Sequence, residues 1–400
     1  MGRHIYIHNP FCIRKCPYCD FFSVTDTSCV EKYYEAAVRE ARFWAEFDRG
    51  YSFSGGNGPD TVYFGGGTPS CVPEGLICGL LETIAAEFGI GPDAEVTIEV
   101  NPASFSAEKG KAYLQSGFNR LSMGIQSLDD GVLRTLGRLH DSKGALKALD
   151  SAFEAGFENV SADLITGVPG QTAGGILEDL RSFIDKGVRH ISTYSLMIED
   201  GTAFFERFGD CIEELMPPHI EREMYHGVRE FLKDNGYLPY EISNSAVPGY
   251  ESCHNEAYWD GADYYAIGAG AHGFLNSVRF GHRDSIGAYI DGAGSFRQED
   301  VLSFLGNPES PSDQINGVLY CEERLTADDR MREYPFLKLR TSKGMDKAEF
   351  SKRFGKDFED VYGDELRSNI EKGLLKTDGQ HISLTERGLD YADTVIRDFL

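Results

Sequence analysis

Three closely spaced cysteines stand near the start of the chain, in the pattern Cys12-x3-Cys16-x2-Cys19. Thiolates are the ligands that iron–sulfur clusters prefer, and a cubane contains four irons, so three cysteines leave one iron without a nearby protein ligand. A bidentate amino-carboxylate can fill that open position. The spacing therefore predicts a [4Fe-4S] cluster that binds a small ligand at its fourth iron.

Two other uses of these cysteines stay open at this point. Zinc also binds tetrahedral sets of three cysteines and one histidine, and His8 could be the fourth ligand. Zinc sites usually space their cysteines two residues apart, whereas here the spacing is three residues and then two. The thiols could also be buried and inert. A disulfide framework does not fit, because the six other cysteines are scattered: Cys29, Cys71, Cys78, Cys211, Cys253 and Cys321.

Other residues that could bind a ligand recur along the first half of the chain. Three consecutive glycines, in Phe64-Gly65-Gly66-Gly67-Thr68-Pro69, let the backbone approach a ligand closely, although a tight turn is the ordinary alternative. The carboxylate of Glu99 can accept hydrogen bonds from a ribose diol. The further candidates are Gln126, Arg138 and Asp163. Their recurrence near the ends of successive predicted strands favours a ligand site.

A regular alternation of predicted strands and helices positions these residues. β-Branched or aromatic runs predict strands at residues 5–8, 61–64, 95–100, 120–125, 159–165 and 190–196. Apolar positions three or four apart predict helices at residues 30–47, 73–88, 107–116, 144–155 and 173–186. Repeated strand–helix units imply a parallel sheet, and six strands are too few to close an eight-stranded barrel. We expect an α/β fold built on a partial (βα)6 barrel, with ligands at the carboxyl ends of its strands.

The chain is expected to divide into three parts. Residues 1–210 contain the barrel, and the aromatic and glycine-rich residues 211–310 are expected to form an α+β extension that covers its open side. A Pro/Ser/Asn-rich stretch at residues 306–312 leads into the third part, residues 311–400. Helices there, with a short hairpin around Asp378-Gly379, predict a small winged-helix-like module. A plain helical cap is the alternative.

The formal net charge of -25 argues against a nucleic-acid partner, because such partners need a basic face. No apolar run approaches the roughly 18 residues of a membrane-spanning helix. The first residues run into a predicted strand without a signal-peptide core. We expect a cytoplasmic protein without a transmembrane segment.

The cysteine spacing, with Tyr18 before the last cysteine, resembles the radical S-adenosylmethionine (SAM) superfamily. This resemblance implies that the methionine end of SAM fills the open position on the cluster, and that an electron from the cluster can cleave SAM to a 5'-deoxyadenosyl radical. It leaves open whether one or two SAM molecules bind. The positions that match SAM contacts of the group are Tyr6, Tyr18, Gly66, Gly67, Thr68, Glu99, Gln126, Arg138 and Asp163.

Nearly the whole chain resembles the oxygen-independent coproporphyrinogen III oxidase group, which includes true oxidases and the heme chaperone HemW family. True oxidases carry another cysteine where this chain has Phe21, and an N-terminal extension for which this chain has no room. The HemW family is therefore the better match. The motifs that are similar to it downstream are Tyr240-Glu241-Ile242-Ser243-Asn244, His254-Asn255-x2-Tyr258-Trp259, Gly268-Ala269-Gly270-Ala271-His272-Gly273 and Leu384-Thr385-x2-Gly388.

This resemblance implies a chaperone that binds heme and passes it to heme-accepting proteins. The cluster and SAM would serve assembly or transfer, with a cellular electron donor if the cluster is reduced. Heme needs an axial ligand and an apolar slot. His254 and His272 are candidates, but hydrogen-bonded histidines in aromatic packing are commoner than heme ligands, so no ligand is assigned.

Two other functions remain as alternatives. In oxidative decarboxylation of coproporphyrinogen III, the deoxyadenosyl radical would abstract hydrogen from a propionate side chain. Four propionates would need basic partners, and the candidate residues offer mainly Arg138, so we expect no such activity. Radical modification of RNA would need a basic track that the net charge disfavours.

Overall fold

A parallel sheet forms the first half of the chain in the computed structural model, which describes residues 3–51, 58–306 and 313–400. Each strand pairs with the next one along the chain. All six predicted strands are confirmed. They are β1 (His4–Asn9), β2 (Thr61–Gly66), β3 (Glu95–Val100), β4 (Arg120–Gln126), β5 (Asn159–Thr166) and β6 (His190–Ser195).

Helices connect these strands, as expected for repeated βα units. They are α1 (Val30–Tyr51), α2 (Glu74–Ile84), α3 (Ala107–Ser116), α4 (Asp130–Thr135), α5 (Ser142–Ala155) and α6 (Ala173–Lys186). The helix predicted at 73–88 ends earlier, and a π-helical turn, Ala85–Gly89, follows it. Helix α4 was not predicted, because six residues are too few to show a helical period.

Capping explains where three of these helices begin and end. Each begins after a side chain that accepts a hydrogen bond from a backbone N–H of the first turn, and each ends at a glycine with positive φ. The pairs are Ser106 and Gly117 for α3, Asp141 and Gly156 for α5, and Thr172 and Gly187 for α6.

Apolar and polar residues alternate along the parallel strands. The apolar positions, such as Ile5, Val62 and Ile98, belong to the main hydrophobic core. The polar positions join neighbouring strands by hydrogen bonds, for example between Tyr63 and Glu99 at 2.7 Å and between Ser161 and His190 at 2.8 Å. The polar face of the sheet therefore offers hydrogen-bonding groups rather than apolar packing.

The following segment, to residue 324, extends the sheet at both edges. Its strands are β7 (Leu238–Pro239), β8 (Asn244–Ala246), β9 (Tyr264–Ile267), β10 (His272–Leu275), β11 (Val278–His282), β12 (Gln314–Ile315) and β13 (Leu319–Arg324). Its helices are α7 (Ala203–Phe208), α8 (Ile212–Leu215), α9 (Pro218–Asp234), α10 (Cys253–Trp259), α11 (Ile286–Gly292) and α12 (Gln298–Gly306).

The strand order in the large sheet is β12-β13-β11-β10-β9-β1-β2-β3-β4-β5-β6-β8-β7. Among the described residues, the two outermost strands do not pair with each other, so the sheet stays open. This confirms the α/β class and the partial barrel. Strands β12 and β13 lie within the predicted third part but pair in the large sheet, and the division into three parts stays a prediction.

Helix α10 covers the amino ends of the parallel strands. The carboxylate of Glu95, at the start of β3, accepts the backbone N–H groups of Cys253 and His254 at 3.0 Å each. A carboxylate is favourable at the N-terminus of a helix. Thr61, at the start of β2, lies 2.6 Å from Nδ1 of His254. Helix α10 thus lies at the end of the barrel opposite the carboxyl ends of the strands.

The C-terminal residues form a separate small core. Its elements are α13 (Ala327–Lys338), β14 (Met345–Asp346), α14 (Lys347–Phe354), α15 (Phe358–Glu371), β15 (Leu375–Thr377), β16 (His381–Leu384), α16 (Glu386–Asp390) and α17 (Ala392–Arg397). The three strands form their own sheet, and the order helix, strand, two helices and hairpin confirms the winged-helix-like topology. Residues 307–312 of the predicted linker lie outside the described residues.

None of the helices in the described ranges combines the length and apolarity needed to cross a membrane.

A buried carboxylate fastens α1 to the strands beyond β1. Glu40 and His282 are fully buried, and Nε2 of His282 lies 2.6 Å from the carboxylate. The same carboxylate accepts hydrogen bonds from Tyr289 OH at 2.6 Å and from the backbone N–H of Gly268 at 3.2 Å. One side chain therefore satisfies donors from three separate segments.

We predict that Glu40→Ala lowers the free energy of unfolding by about 3 kcal/mol, because it leaves several buried hydrogen-bond donors without their acceptor. Urea unfolding followed by tryptophan fluorescence would measure this, since Nε1 of Trp44 lies 3.3 Å from the same carboxylate. Glu35→Ala is the matched control on an exposed position of α1. Equal unfolding curves for the two variants would contradict the prediction.

Candidate functional site

The three predicted cluster ligands lie on the loop that follows β1, at the carboxyl ends of the strands. The backbone N–H of Cys12 donates to the carbonyl of Val24 at 2.9 Å, and that of Cys19 donates to the carbonyl of Cys16 at 3.1 Å. All three thiols are free and half-buried. The loop is therefore held at both ends while its thiols stay accessible.

The glycine segment after β2 packs directly against this loop. The N–H groups of Gly67 and Thr68 donate to the carbonyls of Asn9 at 2.7 Å and Phe11 at 2.8 Å. A Cβ on Gly67 would lie 2.8 Å from both of these carbonyl oxygens and 3.1 Å from Sγ of Cys12. The approach is closer than a side chain permits, so glycine is required at this position.

Burial opposes ionisation of two thiols of the loop, those of Cys12 and Cys19. Burial raises the pKa of Cys12 and of Cys19, although a hydrogen bond from Thr68, whose Oγ1 lies 3.4 Å from Sγ, lowers that of Cys12. Metal binding to such thiols must release protons. Arg138 is the main cation beside them: its Nη1 lies 3.5 Å from Sγ of Cys16 and 3.3 Å from the hydroxyl of Tyr18.

The donor set fits a cluster better than a single zinc ion. His8, the considered fourth zinc ligand, has both ring nitrogens engaged, with Tyr6 OH at 3.1 Å and the carbonyl of Phe22 at 2.9 Å. Within residues 3–51, 58–306 and 313–400, no three His, Cys, Asp or Glu side chains are arranged to hold one metal ion. A cubane does not need that convergence, since each cysteine binds a different iron.

A narrow cleft opens beside the loop. It is lined by Cys16, Thr68 and Arg138, and also by Asn101 and Ser104 from the turn after β3. Asn101 and Ser104 were not predicted from the sequence, because Asn101 is typical of an ordinary turn cap, and its side chain accepts a hydrogen bond from the backbone N–H of Ala103. The cleft brings polar groups of the turn after β3 next to the cysteine loop.

Glu99 stands at the end of β3 with two donors on its carboxylate. Tyr63 OH donates at 2.7 Å and the backbone N–H of Gly66 donates at 3.2 Å. Burial raises the pKa of Glu99 to about 7, although both hydrogen bonds lower it. Tyr63 was missed by sequence reasoning, yet it lies at the same side of β2 as Gly65, two residues on. Tyr6 stacks on its ring, with centroids 6.2 Å apart.

Gln126 and Asp163 lie farther along the same face. Gln126 has a φ of 74° and its buried Oε1 has no hydrogen-bond partner in the structure. Asp163, in the middle of β5, accepts hydrogen bonds from Ser122 at 3.2 Å and from Ser161 at 3.3 Å, and burial raises its pKa. The amide oxygen of Gln126, which lacks a hydrogen-bond donor, is therefore available to a donor of a ligand.

The predicted SAM positions thus fall into small groups. Gly67, Thr68 and Cys12 are in contact, as are Cys16, Tyr18 and Arg138. Gly66 and Glu99 form a third group, joined to Tyr6 through Tyr63. Nε2 of Gln126 approaches Gly124, whose carbonyl accepts from Nη2 of Arg138 at 2.5 Å, whereas Asp163 is held by serines of its own and the neighbouring strand.

Comparison with known proteins identifies the family. Residues 6–183 match the radical SAM superfamily, and residues 325–391 match the HemN C-terminal domain. The chain is 33% identical to the heme chaperone HemW of Lactococcus lactis, covering 99% of this chain and 96% of that protein. It is 32% identical to the heme chaperone HemW of Bacillus subtilis, covering 99% and 98%. The chain belongs to the HemW family of radical SAM proteins.

A solved structure supports the same fold for this HemW-family chain. Coproporphyrinogen III oxidase (HemN) from Escherichia coli superposes with a TM-score of 0.79, covering 100% of this chain and 90% of that one, at 21% identity. At that identity the likeness establishes the radical SAM architecture and leaves the activity to other arguments.

The two histidines considered for heme lie in different surroundings. His254 is buried, its Nδ1 lies 2.6 Å from Thr61 Oγ1, and its Nε2 lies 2.9 Å from Tyr258 OH. Burial lowers its pKa to about 3. His272 is exposed, and its Nδ1 lies 2.6 Å from a carboxylate oxygen of Glu322. His254 is thus a structural side chain of α10, at the opposite end of the barrel from the cysteines.

The raised pKa of Glu99 makes the stability of the protein depend on pH. An unfolded glutamate titrates near its ordinary value of 4.5, whereas the folded Glu99 holds its proton until about pH 7. Its protonation therefore favours the folded state below about pH 4.5, and this contribution is lost as the pH rises to about 7.

We predict that Glu99→Gln, which stays neutral, raises the melting temperature at about pH 8 by about 2–4 °C, with the difference shrinking towards about pH 5. Thermal unfolding of the cluster-free protein across this range would measure it. Glu35→Gln, at an exposed position, is the control. Parallel pH profiles for wild type and Glu99→Gln would show that burial does not hold the proton on Glu99.

Proposed function

We propose that the chain is a heme chaperone. It would bind a [4Fe-4S] cluster through Cys12, Cys16 and Cys19, bind SAM beside the cluster, bind heme, and transfer that heme to acceptor proteins. The observation that carries this proposal is the full-length similarity to several proteins named heme chaperone HemW. The cytoplasm is the proposed compartment, and a cellular electron donor is required if the cluster is reduced.

The residues around the cleft would divide the work of holding the cofactors. A bound cluster supplies an electron and one iron with an open position. Gly66 and Gly67 let the backbone approach the amino group of SAM, and Thr68 donates beside Cys12. Arg138 places a positive charge next to Cys16 and Tyr18. The guanidinium would offset the negative charge that gathers when thiolates bind iron.

The remaining candidates would hold the rest of SAM. The carboxylate of Glu99 has lone pairs beyond those used by its two donors, so it can accept hydrogen bonds from a ribose diol. Gln126 offers its unmet amide oxygen to a donor of the ligand. Tyr6 and Asp163 would complete the wall of the site. A second SAM molecule, if bound, would use Gln126, Arg138 and Asp163.

We predict that Cys12→Ser, Cys16→Ser or Cys19→Ser each abolishes the cluster, because an alcohol replaces one of the thiolate ligands on which the cubane depends. Iron and sulfide content after anaerobic reconstitution, with the visible charge-transfer absorption, would measure this. Cys29→Ser and Cys253→Ser are matched controls outside the triad and should retain full iron content. A variant of the triad that keeps the cluster would remove that cysteine from the ligand set.

The alternative activity is decarboxylation of coproporphyrinogen III. The fold alone is compatible with it, given the likeness to the Escherichia coli oxidase. The four propionates of that substrate would need basic partners, and the described cleft is lined by two cations, Arg14 and Arg138. Nη2 of Arg14 donates to the carbonyl of Gly137, and Arg138 is engaged beside Cys16.

We predict that the reconstituted protein binds heme stoichiometrically, seen in the Soret band, and does not decarboxylate coproporphyrinogen III when SAM and a reductant are supplied. The physical reason is the shortage of cations for four propionates in the cleft. Product analysis under anaerobic conditions measures the second part. SAM-dependent conversion of the porphyrinogen would overturn the chaperone proposal and restore the oxidase.

A further inference from the structure

A second pocket lies far from the cysteines, at the seam between α10 and the winged-helix-like module. Trp259, Asp260 and Gly261 form one side of it. Helices α13 and α14 form the other side and contribute both charged and aromatic side chains. Its cavity volume is about 290 Å³. No step of the proposed cluster or SAM chemistry uses this pocket.

The pocket is lined by more cations than carboxylates, although the whole chain is strongly acidic. Three cations line it, Arg330, Lys338 and Arg353, beside the carboxylates of Asp260 and Glu333. Lys338 pairs with Asp260. Glu333 forms an ion pair with Arg279. A carboxylate oxygen of Glu349 lies 2.6 Å from Nη2 of Arg353. Among the described residues, Arg330 has no carboxylate within ion-pair distance.

Arg330 is held in place but incompletely satisfied. Its Nη2 donates to the carbonyl of Gly261 at 3.0 Å, and its guanidinium lies 4.7 Å from the ring centroid of Phe274. Its Nη1 is buried and has no hydrogen-bond partner. A buried donor without an acceptor is costly, and more so when it belongs to a charged group. Burial lowers the pKa of Arg330, and the charge of Asp263, which lies beyond ion-pair distance, opposes this.

Another residue that lines the pocket also has a buried donor without a partner. The indole Nε1 of Trp259 is buried and has no hydrogen-bond partner. The aromatic rings of Trp259, Tyr334 and Phe354 supply flat apolar surface around the two donors. A planar carboxylate is the group that best matches a guanidinium, and an apolar ring next to it matches the aromatic lining.

We propose that the seam pocket binds a ligand with a carboxylate on a flat apolar body. The carboxylate accepts hydrogen bonds from Arg330 and Trp259, and the apolar body packs against Tyr334 and Phe354. This site does not depend on the proposed heme function. Two sources share its chemistry: a propionate edge of a porphyrin, or a free aromatic carboxylic acid.

The test uses thermal unfolding of the full chain with named probes. Metal-free protoporphyrin IX and 1-naphthoate carry the carboxylate, whereas protoporphyrin IX dimethyl ester and 1-naphthamide keep the ring system without the charge. We expect at least one acid to raise the melting temperature, and its neutral counterpart to leave it unchanged, since ligand binding stabilises the folded state. A response to the porphyrin acid alone assigns a propionate edge, and a response to 1-naphthoate alone assigns a free acid.

Two variants locate the binding. Arg330→Gln should weaken binding of the active acid by tenfold or more, which corresponds to about 1.4 kcal/mol. Trp259→Phe keeps the ring and removes the indole donor, so it should weaken binding by a smaller factor and remains informative if Arg330→Gln folds poorly. Arg332→Gln, at an exposed position on α13, is the matched control and should bind like wild type.

The proposal is overturned if neither acid raises the melting temperature of the wild type, or if Arg330→Gln and Trp259→Phe respond to the acids as strongly as the wild type does. A parallel titration of the wild type and both variants with heme, read at the Soret band, separates heme binding from ligand binding in the seam pocket. Unchanged heme binding in both variants would be consistent with the chaperone function and would show that heme binds outside this pocket.

Discussion

The candidate site depends on the close approach of two backbone segments. The chain after β2 lies against the chain after β1, where the N–H of Gly67 bonds the carbonyl of Asn9 at 2.7 Å and leaves no room for a Cβ. This contact fixes the position of the start of the cysteine loop relative to the end of β2. It also sets the position of Gly66, whose N–H bonds Glu99. The cysteine loop and the carboxylate of Glu99 are thus joined through three consecutive residues, Gly66, Gly67 and Thr68.

Much of the fold could be read from the sequence, because βα units leave strong local signals. Residue patterns located the six strands and five of the six helices up to residue 195, all but α4, and the cysteine spacing located the loop. The role of Tyr63 could not be read, since its hydrogen bond to Glu99 joins residues 36 positions apart. The course of β7 to β13 was also hidden, because strands as short as Leu238–Pro239 carry too few residues to show a period.

The histidines show how residue type alone misleads. His254 stands among Tyr and Trp in the sequence, which favours a heme slot as much as ordinary packing. In the structure both of its ring nitrogens are engaged in hydrogen bonds, with Thr61 at the start of β2 and with Tyr258. Family membership carries the heme proposal, and the aromatic run near His254 does not. Trp259, at the other end of the same helix, is the residue with an unmet donor.

The placement of α10 has a consequence for how the site can be reached. Because this helix is bonded to Glu95 and Thr61, it occupies the amino ends of β2 and β3. Among the described residues, the cysteine loop lies at the opposite, carboxyl end of the strands. On the proposed function, a protein that reduces the cluster would therefore approach from the side of the cysteine loop and not from the side of α10.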